Sequence, residues 1–391
     1  MFNLEKLLLG LSCVLLFSSC FKEEPKNMEC DILEAWVGEE NLTYFYNKAD
    51  MRISNVPSDE QKLEFTVRSR ATLPPMALHF KLTPGAIIEP ASGSVQDFSK
   101  ETVTYTVTSE DGAWKKQYSV RFGNPVTPIM EKDNDGDSGQ AVMKFDFEDY
   151  RLNDKNNYYL WFEYFGDTEV EMWASGNAGF QMAKSSKAED YPTVPDPNGY
   201  EGSCVKLTTR DTGSWGKAFK KPIAAGNLFL GKFNSQYALT QTLKTTEMGL
   251  PFMVEPIKVT GYYKFTPGEK FTDKDMKTVE GRVDEPNIYA VFYRNQDAEG
   301  NTVVLHGDDV MTSPLIVSKA QVASLPATTE WTKFEMTFES LTPVDKAVLD
   351  SRGYNLALVF SSSKTGDTFE GAVGSTLWVD KVEVTFKTDE K

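Results

Sequence analysis

The chain has 391 residues, a net charge of −16 and an aromatic content of 12%. This length is enough for two or three domains with hydrophobic cores. The acidic balance disfavours nucleic acid and anionic membranes as partners and fits neutral ligands or cations, and with only two histidines a histidine-based metal centre is not expected.

The N-terminal segment has the pattern of a secretory signal. Residues 7–17 form an apolar run that has the size of a signal-peptide core and is too short to span a bilayer. The run ends in Phe17-Ser18-Ser19-Cys20, which is typical of a bacterial lipobox. The alternative is an ordinary signal with an incidental cysteine. We expect residues 1–19 to be the signal peptide and Cys20 to carry a lipid anchor to the membrane.

Residues 20–28 are predicted to be a polar tether. Lys22-Glu23-Glu24 follows the lipidation site, and a lysine followed by acids resembles the surface-export signal of Bacteroidetes lipoproteins. It predicts a location on the cell outer membrane, exposed at the surface. The alternative is a solvated tether without a targeting role.

Residues 29–123 alternate apolar and polar positions in short runs. Leu63-Phe65-Val67 and Tyr118-Val120-Phe122 show the period of two that half-buried strands have. Turn signals such as Thr83-Pro84-Gly85 separate the runs. The segment is therefore predicted to be an immunoglobulin-like β-sandwich.

Residues 124–140 are rich in proline, glycine and acids and are predicted to be a solvated linker rather than a calcium loop. Residues 141–391 again show strands, with one helical turn expected near Val344–Asp350. Many strands in one large domain predict a β-jelly-roll sandwich, so the fold class is all-β. Cys30 and Cys204 fall in different domains, and we expect both to be unpaired.

Several motifs carry a resemblance to a known family. They are Phe80–Gly85, Asp97–Ser99, Tyr105–Gly112, Phe145–Glu148, Ser175–Asn177, Ala224–Gly231 and Gly261–Phe265. Together with the lipobox they resemble a Bacteroidetes lipoprotein family that bears a carbohydrate metabolism domain. The resemblance implies an N-terminal immunoglobulin-like domain and a C-terminal jelly roll similar to those of glycoside hydrolases and carbohydrate-binding modules. It also implies a sugar-binding pocket on the jelly roll.

A sugar site needs aromatic platforms together with planar hydrogen-bonding groups. The platform candidates are Trp161, Trp173, Trp215 and Tyr262, and the polar candidates are Asn177, Arg210, Asp211 and Asn227. Trp215 is favoured because glycines border it in what reads as a loop. The alternative roles are core packing for the tryptophans and loop capping for the asparagines and the aspartate. Tyr262 and Lys264 share one strand face, Tyr263 and Phe265 share the other, and the pattern leaves open which face is the core.

Binding without catalysis is favoured because the Glu-x-Asp-x-x-Glu motif of jelly-roll glucanases does not occur. A glycoside hydrolase or a polysaccharide lyase that uses a carboxylate pair in the same pocket is the alternative, with Glu148, Asp211 and Glu285 as possible acids. A structural surface protein is the second alternative. The expected partners are an oligo- or polysaccharide and other surface proteins of glycan uptake.

One metal site is suggested by likeness to carbohydrate-binding sandwiches. In those domains an aspartate on the final strand and a glutamate from the first strand help to hold a structural calcium ion. Asp380 and Glu148 occupy the matching positions here, and oxygen ligands suit calcium. The alternative is an exposed aspartate on an edge strand, and no other cofactor is expected.

Overall fold

A computed structural model describes residues 25–388 apart from residues 59, 70–71, 100–101, 124–130, 133–139, 156, 166–167 and 239. The lipidation site at Cys20, the signal peptide and most of the predicted linker lie outside the described residues. Strands dominate the described chain, which confirms the all-β fold class. No described helix has the length and apolar character that crossing a membrane requires.

The N-terminal unit is a sandwich of two four-stranded sheets. Its strands are β1 (Ile32–Val37), β2 (Arg52–Ser54), β3 (Lys62–Thr66), β4 (Met76–Leu82), β5 (Ile87–Glu89), β6 (Val95–Gln96), β7 (Val103–Thr108) and β8 (Lys115–Gly123). The strand orders are β2-β1-β4-β6 and β3-β8-β7-β5. β3 runs parallel to β8, and the other pairs are antiparallel.

Alternation along each strand builds the core of this sandwich. In β8, Tyr118, Val120 and Phe122 are fully buried, while the intervening Ser119 and Arg121 are exposed. Each buried side chain of this size stabilises the fold by about 1.5–3 kcal/mol relative to an exposed one. The predicted immunoglobulin-like sandwich is therefore present.

The C-terminal unit contains the remaining strands. They are β9 (Glu131–Lys132), β10 (Gln140–Phe145), β11 (Tyr150–Leu152), β12 (Tyr159–Trp161), β13 (Glu163–Phe165), β14 (Thr168–Val170), β15 (Trp173–Ala174), β16 (Thr193–Asp196), β17 (Cys204–Thr208), β18 (Arg210–Asp211), β19 (Ile223–Ala224), β20 (Asn227–Phe233), β21 (Thr246–Met248), β22 (Leu250–Pro251), β23 (Pro256–Thr266), β24 (Phe271–Thr272), β25 (Asn287–Arg294), β26 (Ile316–Gln321), β27 (Thr328–Thr337), β28 (Glu339–Ser340), β29 (Tyr354–Ser361), β30 (Gly371–Ala372) and β31 (Thr376–Lys387). β9 pairs with β10 and lies inside the segment predicted to be a linker.

Two large sheets pack face to face in this unit. Sheet 1 is centred on β31, which pairs with β10, β17 and β23, and β27 continues the sheet beyond β23. Sheet 2 has the order β15-β20-β29-β25-β26-β28. Side chains such as Phe145, Val259 and Leu377 from sheet 1 meet Ile288 and Phe360 from sheet 2 in one buried core. This is the sandwich that the sequence predicts.

The helices are short. They are α1 (Asn177–Ala183), α2 (Gly213–Ala218) and α3 (Lys346–Asp350), with 3₁₀ turns at Glu39–Tyr44, Ala49–Met51, Ala188–Asp190, Ser235–Tyr237, Thr242–Lys244 and Gly366–Thr368. α3 is the helical turn predicted near Val344–Asp350, and Asp345 caps it by accepting hydrogen bonds from the backbone N–H groups of Ala347 and Val348. α2 replaces the loop that was predicted around Trp215. Its first residue, Gly213, has a φ of +74°, which only glycine adopts without strain.

The two units contact each other through polar groups. Asp50 accepts a hydrogen bond of 2.7 Å from Arg352, and both side chains are about nine-tenths buried. Asn234 donates to the backbone oxygen of Asn55 across the same boundary. Cys30 and Cys204 are buried and unpaired, as expected.

Candidate functional site

The outer face of sheet 1 is set by alternation in its long strands. In β23, Tyr263 and Phe265 are buried in the core, so Tyr262 and Lys264 point outward. In β31, the core residues Leu377 and Val379 flank Trp378, which is therefore on the outer face. The question that the sequence left open for β23 is settled, because its outer face is the one that carries the lysine.

Cations and aromatic rings alternate across this face in one row. Lys206 of β17 lies opposite Trp378 of β31, which lies opposite Lys264 of β23. The Nζ atom of Lys264 is 4.5 Å from the ring centre of Trp331 in β27 and 5.4 Å from that of Trp378. The Nζ atom of Lys206 is 5.6 Å from the ring centre of Trp378. These are cation–π distances, so the rings hold both ammonium groups in place.

Two tyrosines extend the row. The ring of Tyr200 stacks on that of Tyr262 with centroids 3.8 Å apart and an interplanar angle of 9°, and it meets Trp331 edge-on at 6.3 Å. Tyr200 is 47% exposed, so the face turned away from Tyr262 is open to solvent. We call the set Tyr200, Tyr262, Trp331, Trp378, Lys206 and Lys264 the aromatic surface.

Hydrogen bonds fix the edges of the aromatic surface. Asp196 accepts a bond of 3.0 Å from the indole N–H of Trp378 and further bonds from Asn198. Partial burial acts to raise the pKa of Asp196, but these bonds outweigh it, and the pKa lies below its usual value. The loop that carries Tyr200 is tied to β31, because Asp380 accepts the backbone N–H groups of Tyr200 and Glu201. The arrangement offers apolar ring faces, ammonium donors and one carboxylate acceptor on a single surface.

The loop candidates lie at a different place, around α2. Trp215 is 54% exposed and packs beside Phe219, with ring centroids 5.0 Å apart. Asp211 forms an ion pair of 2.5 Å with Lys217. Arg210 is half-buried in β18, and its Nε atom has no hydrogen-bond partner among the described residues. Trp215, Arg210 and Asp211 therefore stay predictions of ligand contact, at a site distinct from Tyr262.

Both asparagines among the candidates hold the backbone. Asn177 is fully buried, donates to the carbonyl of Thr193 and accepts from its N–H. Asn227 accepts the N–H of Gly176 at 2.8 Å. The ligand role predicted for Asn177 is wrong, because both faces of its amide are used and no solvent reaches it. Asn227 is half-buried and serves as a capping residue.

The tryptophans at 161 and 173 belong to the core. Trp161 is 2% exposed and Trp173 is 6% exposed, and Trp173 packs against Phe145 and Phe147. A sugar cannot reach either ring, so the platform role predicted for them is wrong. Although a loop-like sequence follows Trp173, its ring packs in the core.

Trp173 also contacts a buried acid. Its indole N–H donates a hydrogen bond of 2.7 Å to Glu163 of β13. Burial raises the pKa of Glu163 to about 8; the nearby charges of Asp146 and Asp149 act in the same direction, and the bond from Trp173 opposes them. A carboxylic acid whose pKa is raised in this way is the type of group that serves as a general acid near neutral pH.

Two shallow depressions lie at the end of the sandwich, with volumes of about 300 and 340 Å³. They share Val322, Ala323 and Lys364. Glu285, one of the possible acids, lines the first depression, and among the described residues none of the predicted ligand-binding residues lines either one. The pocket that the sequence predicts is thus not where these depressions are, and the exposed aromatic groups lie on open surfaces.

The pair proposed for calcium meets at the loop before β17. Glu148 accepts the N–H of Ser203 through both carboxylate oxygens, and Asp380 accepts three backbone N–H groups, those of Tyr200, Glu201 and Lys381. A cation would have to compete with these positively polarised hydrogens for the same lone pairs. The arrangement fits a loop anchor, and calcium binding by Glu148 and Asp380 stays a prediction.

Two family models match this chain. Residues 146–385 match the family described as "Putative carbohydrate metabolism domain", and residues 44–121 match the family described as "SGBP, N-terminal". The chain belongs to the carbohydrate metabolism domain family. The matched range covers most of the C-terminal sandwich, including the aromatic surface.

Two solved structures are similar to this family member over most of their length. A "putative glycoside hydrolase" from Bacteroides thetaiotaomicron VPI-5482 is 37% identical over 94% of this chain and 100% of that chain, with a TM-score of 0.76. A "putative glycoside hydrolase" from Bacteroides vulgatus ATCC 8482 is 37% identical over 61% of this chain and 96% of that chain, with a TM-score of 0.57. Comparison with curated proteins gives no match.

Within this carbohydrate metabolism domain, sequence reasoning found one member of the aromatic surface, Tyr262, and missed Tyr200, Trp331 and Trp378. A signal was available, because lysine is rarely buried. Lys264 marks the outer face of β23, and Lys206 does the same for β17. Which tryptophans lie beside these lysines depends on strand pairing that the sequence alone does not fix.

Proposed function

We propose that this protein is a surface-anchored lipoprotein that binds a glycan through the aromatic surface on sheet 1 and acts in carbohydrate capture or metabolism. Membership of the carbohydrate metabolism domain family supports the carbohydrate-related role. The lipid anchor at Cys20 and the outer-membrane location belong to the proposal and rest on the lipobox and the Lys-Glu-Glu tether. Oligo- or polysaccharide is the proposed partner.

The observation that carries the proposal is the exposed stacked ring of Tyr200. Sugars present apolar C–H faces that pack on aromatic rings, and hydroxyl groups that need donors and acceptors. Tyr200 offers an open ring face that Trp331 meets edge-on. Lys264 contacts the rings of both Trp331 and Trp378, and Asp196 accepts the indole N–H of Trp378. No functional reason is needed for a single exposed aromatic residue, but several in contact on one face form a patch of the kind that binds ligands.

Tyr200→Ala tests the proposal. Glycans that bind the wild-type chain on an array are titrated against the variant by calorimetry. A central aromatic contact of this type contributes roughly 2 kcal/mol or more, so the affinity should fall at least about tenfold. The matched control is Trp114→Ala, because Trp114 is similarly exposed, at 55%, and belongs to the N-terminal sandwich rather than to sheet 1. Equal affinity in a folded Tyr200→Ala variant would exclude the aromatic surface.

A glycoside hydrolase is the second candidate, and Glu163 is the observation that favours it. Its raised pKa suits a general acid, and Asp146 and Asp149 are nearby carboxyl groups that could act as its partner; both similar solved structures are described as glycoside hydrolases. Incubation with each glycan that binds, followed by chromatography of the products, tests this activity. Turnover that Glu163→Gln abolishes supports the enzyme; binding without products supports the non-catalytic proposal.

A further inference from the structure

Two lysines of the aromatic surface, Lys206 and Lys264, form no ion pair among the described residues. The chain has 57 acidic and 41 basic residues, so excess carboxylates are available to pair with surface lysines. Lys217, Lys244 and Lys387 do form such ion pairs. Among the described residues, neither Lys206 nor Lys264 has a carboxylate within ion-pair distance, although both lie on the surface of an acidic protein.

The rings fix the position of the two unpaired ammonium groups. Trp378 lies between them, with Nζ of Lys206 at 5.6 Å and Nζ of Lys264 at 5.4 Å from the same ring centre. Trp331 holds Lys264 from the other side at 4.5 Å. A lysine normally loses side-chain freedom when it binds a ligand. Since these lysines are already packed on rings, part of that cost is absent, and the groups are pre-organised for an anion.

The carboxylate of Asp196, which borders Trp378, already accepts several hydrogen bonds. Asp196 accepts hydrogen bonds from Trp378 and Asn198 and keeps its negative charge. It interacts electrostatically with Lys206. Among the described residues, no hydrogen bond joins it to Lys264. Lys333, opposite Tyr262 in the strand register, adds a further exposed cation at the edge of the aromatic surface.

We infer that the glycan bound by the aromatic surface is anionic, with carboxylate or sulfate groups that Lys206 and Lys264 bind. The inference rests on the proposed function and deepens it by naming the ligand class. An ammonium–carboxylate or ammonium–sulfate hydrogen bond is roughly twice as strong as a neutral one. The ring faces would contact the apolar side of the sugar while the ammonium groups contact its charged substituents. The overall acidity of the chain predicted neutral ligands or cations. The positive charge of Lys206 and Lys264 on this surface favours an anionic ligand instead.

Two pairs of matched polysaccharides test the inference. Polygalacturonate is compared with its methyl ester, which has the same backbone without the charge, and dextran sulfate is compared with dextran, which is neutral. Affinity electrophoresis measures binding of the wild-type protein and of the Lys206→Gln/Lys264→Gln variant. The control variant is Lys115→Gln/Lys274→Gln, which alters two exposed lysines outside the aromatic surface and gives the same net charge.

The wild-type protein should bind at least one charged member about tenfold more tightly than its neutral partner, because a charge-assisted contact contributes roughly 1.5 kcal/mol. The Lys206→Gln/Lys264→Gln variant should lose that preference, and the control variant should keep it. A preference within the polygalacturonate pair indicates carboxylate binding, and a preference within the dextran pair indicates sulfate binding.

Equal binding of charged and neutral partners, or an unchanged preference in the Lys206→Gln/Lys264→Gln variant, would overturn the inference. If neutral glycans bind and Tyr200→Ala abolishes that binding, the proposed function stands and only the anionic ligand class fails. If no charged or neutral glycan binds, both the proposed function and the inference fail.

Discussion

Replacement of Glu163 by glutamine should change how the stability of the protein depends on pH. The pKa of this carboxyl is 4.5 in its ordinary state and about 8 in the folded protein, chiefly because it is buried beside Trp173. Between these two values the folded chain holds the proton and the unfolded chain releases it. Stability therefore falls as the pH rises through this window.

The magnitude follows from the same two values. Each pKa unit corresponds to about 1.4 kcal/mol, so at pH 7 the buried acid costs about 3 kcal/mol, and near pH 4.5 it costs less than about 0.5 kcal/mol. Glutamine has no proton to release and keeps an oxygen that accepts the indole N–H bond. For a domain of this size the difference between variant and wild type should grow by about 5–10 °C in Tm from pH 4.5 to pH 7.

Differential scanning calorimetry in a buffer series from pH 4.5 to 8 measures this difference for Glu163→Gln and for Glu330→Gln, an exposed control on β27. A constant offset between Glu163→Gln and wild type at every pH would refute the reasoning, because only a pH-dependent difference reports the raised pKa. The control should run parallel to the wild type throughout.

Three other perturbations have defined outcomes. Asp284 is 2% exposed and accepts hydrogen bonds from Ser363, Ser375 and the N–H of Ala372. Asp284→Ala should therefore lower the free energy of unfolding, measured in urea, by about 3–5 kcal/mol. A loss below about 1 kcal/mol would show that the network is dispensable. Asp50→Ala leaves the buried Arg352 unpaired between the two units and should lower the free energy of unfolding by about 3–5 kcal/mol. Glu39→Ala, at the exposed pair with Lys48, should lower it by only about 0–1 kcal/mol. Similar losses for the two variants would contradict the assigned burial. Excess calcium chloride or EDTA should leave Tm unchanged, since backbone N–H groups occupy Asp380, and a rise with calcium that Asp380→Asn abolishes would instead establish the metal site.

The fold followed from local pattern, because burial on one face of a strand imposes a period of two. Tyr118, Val120 and Phe122 show it in the sequence and are buried together in β8. The short helix around Trp215 was missed because six residues with four small ones carry too little periodicity to distinguish a helix from a loop.

The candidate site was harder to predict because it joins residues that are distant in sequence. Lys206, Lys264, Trp331 and Trp378 come from four strands, and their contact depends on the register of β31 with β17 and β23. Trp173 was predicted to be a platform because a loop-like sequence follows it, but such a sequence does not determine whether the ring points to the core or to solvent. Only the pairing of strands distinguishes a core tryptophan from a platform.

The central claim is that a glycan binds on the outer face of sheet 1, and one comparison tests it most directly. Calorimetric titration of the best-binding glycan against Tyr200→Ala and Trp215→Ala separates the aromatic surface from the loop site around α2, because both residues are about half exposed and lie on different elements. We expect Tyr200→Ala to lose at least about tenfold in affinity and Trp215→Ala to bind as the wild type does. Loss of binding in Trp215→Ala, with Tyr200→Ala unaffected, would contradict the account and move the site to α2.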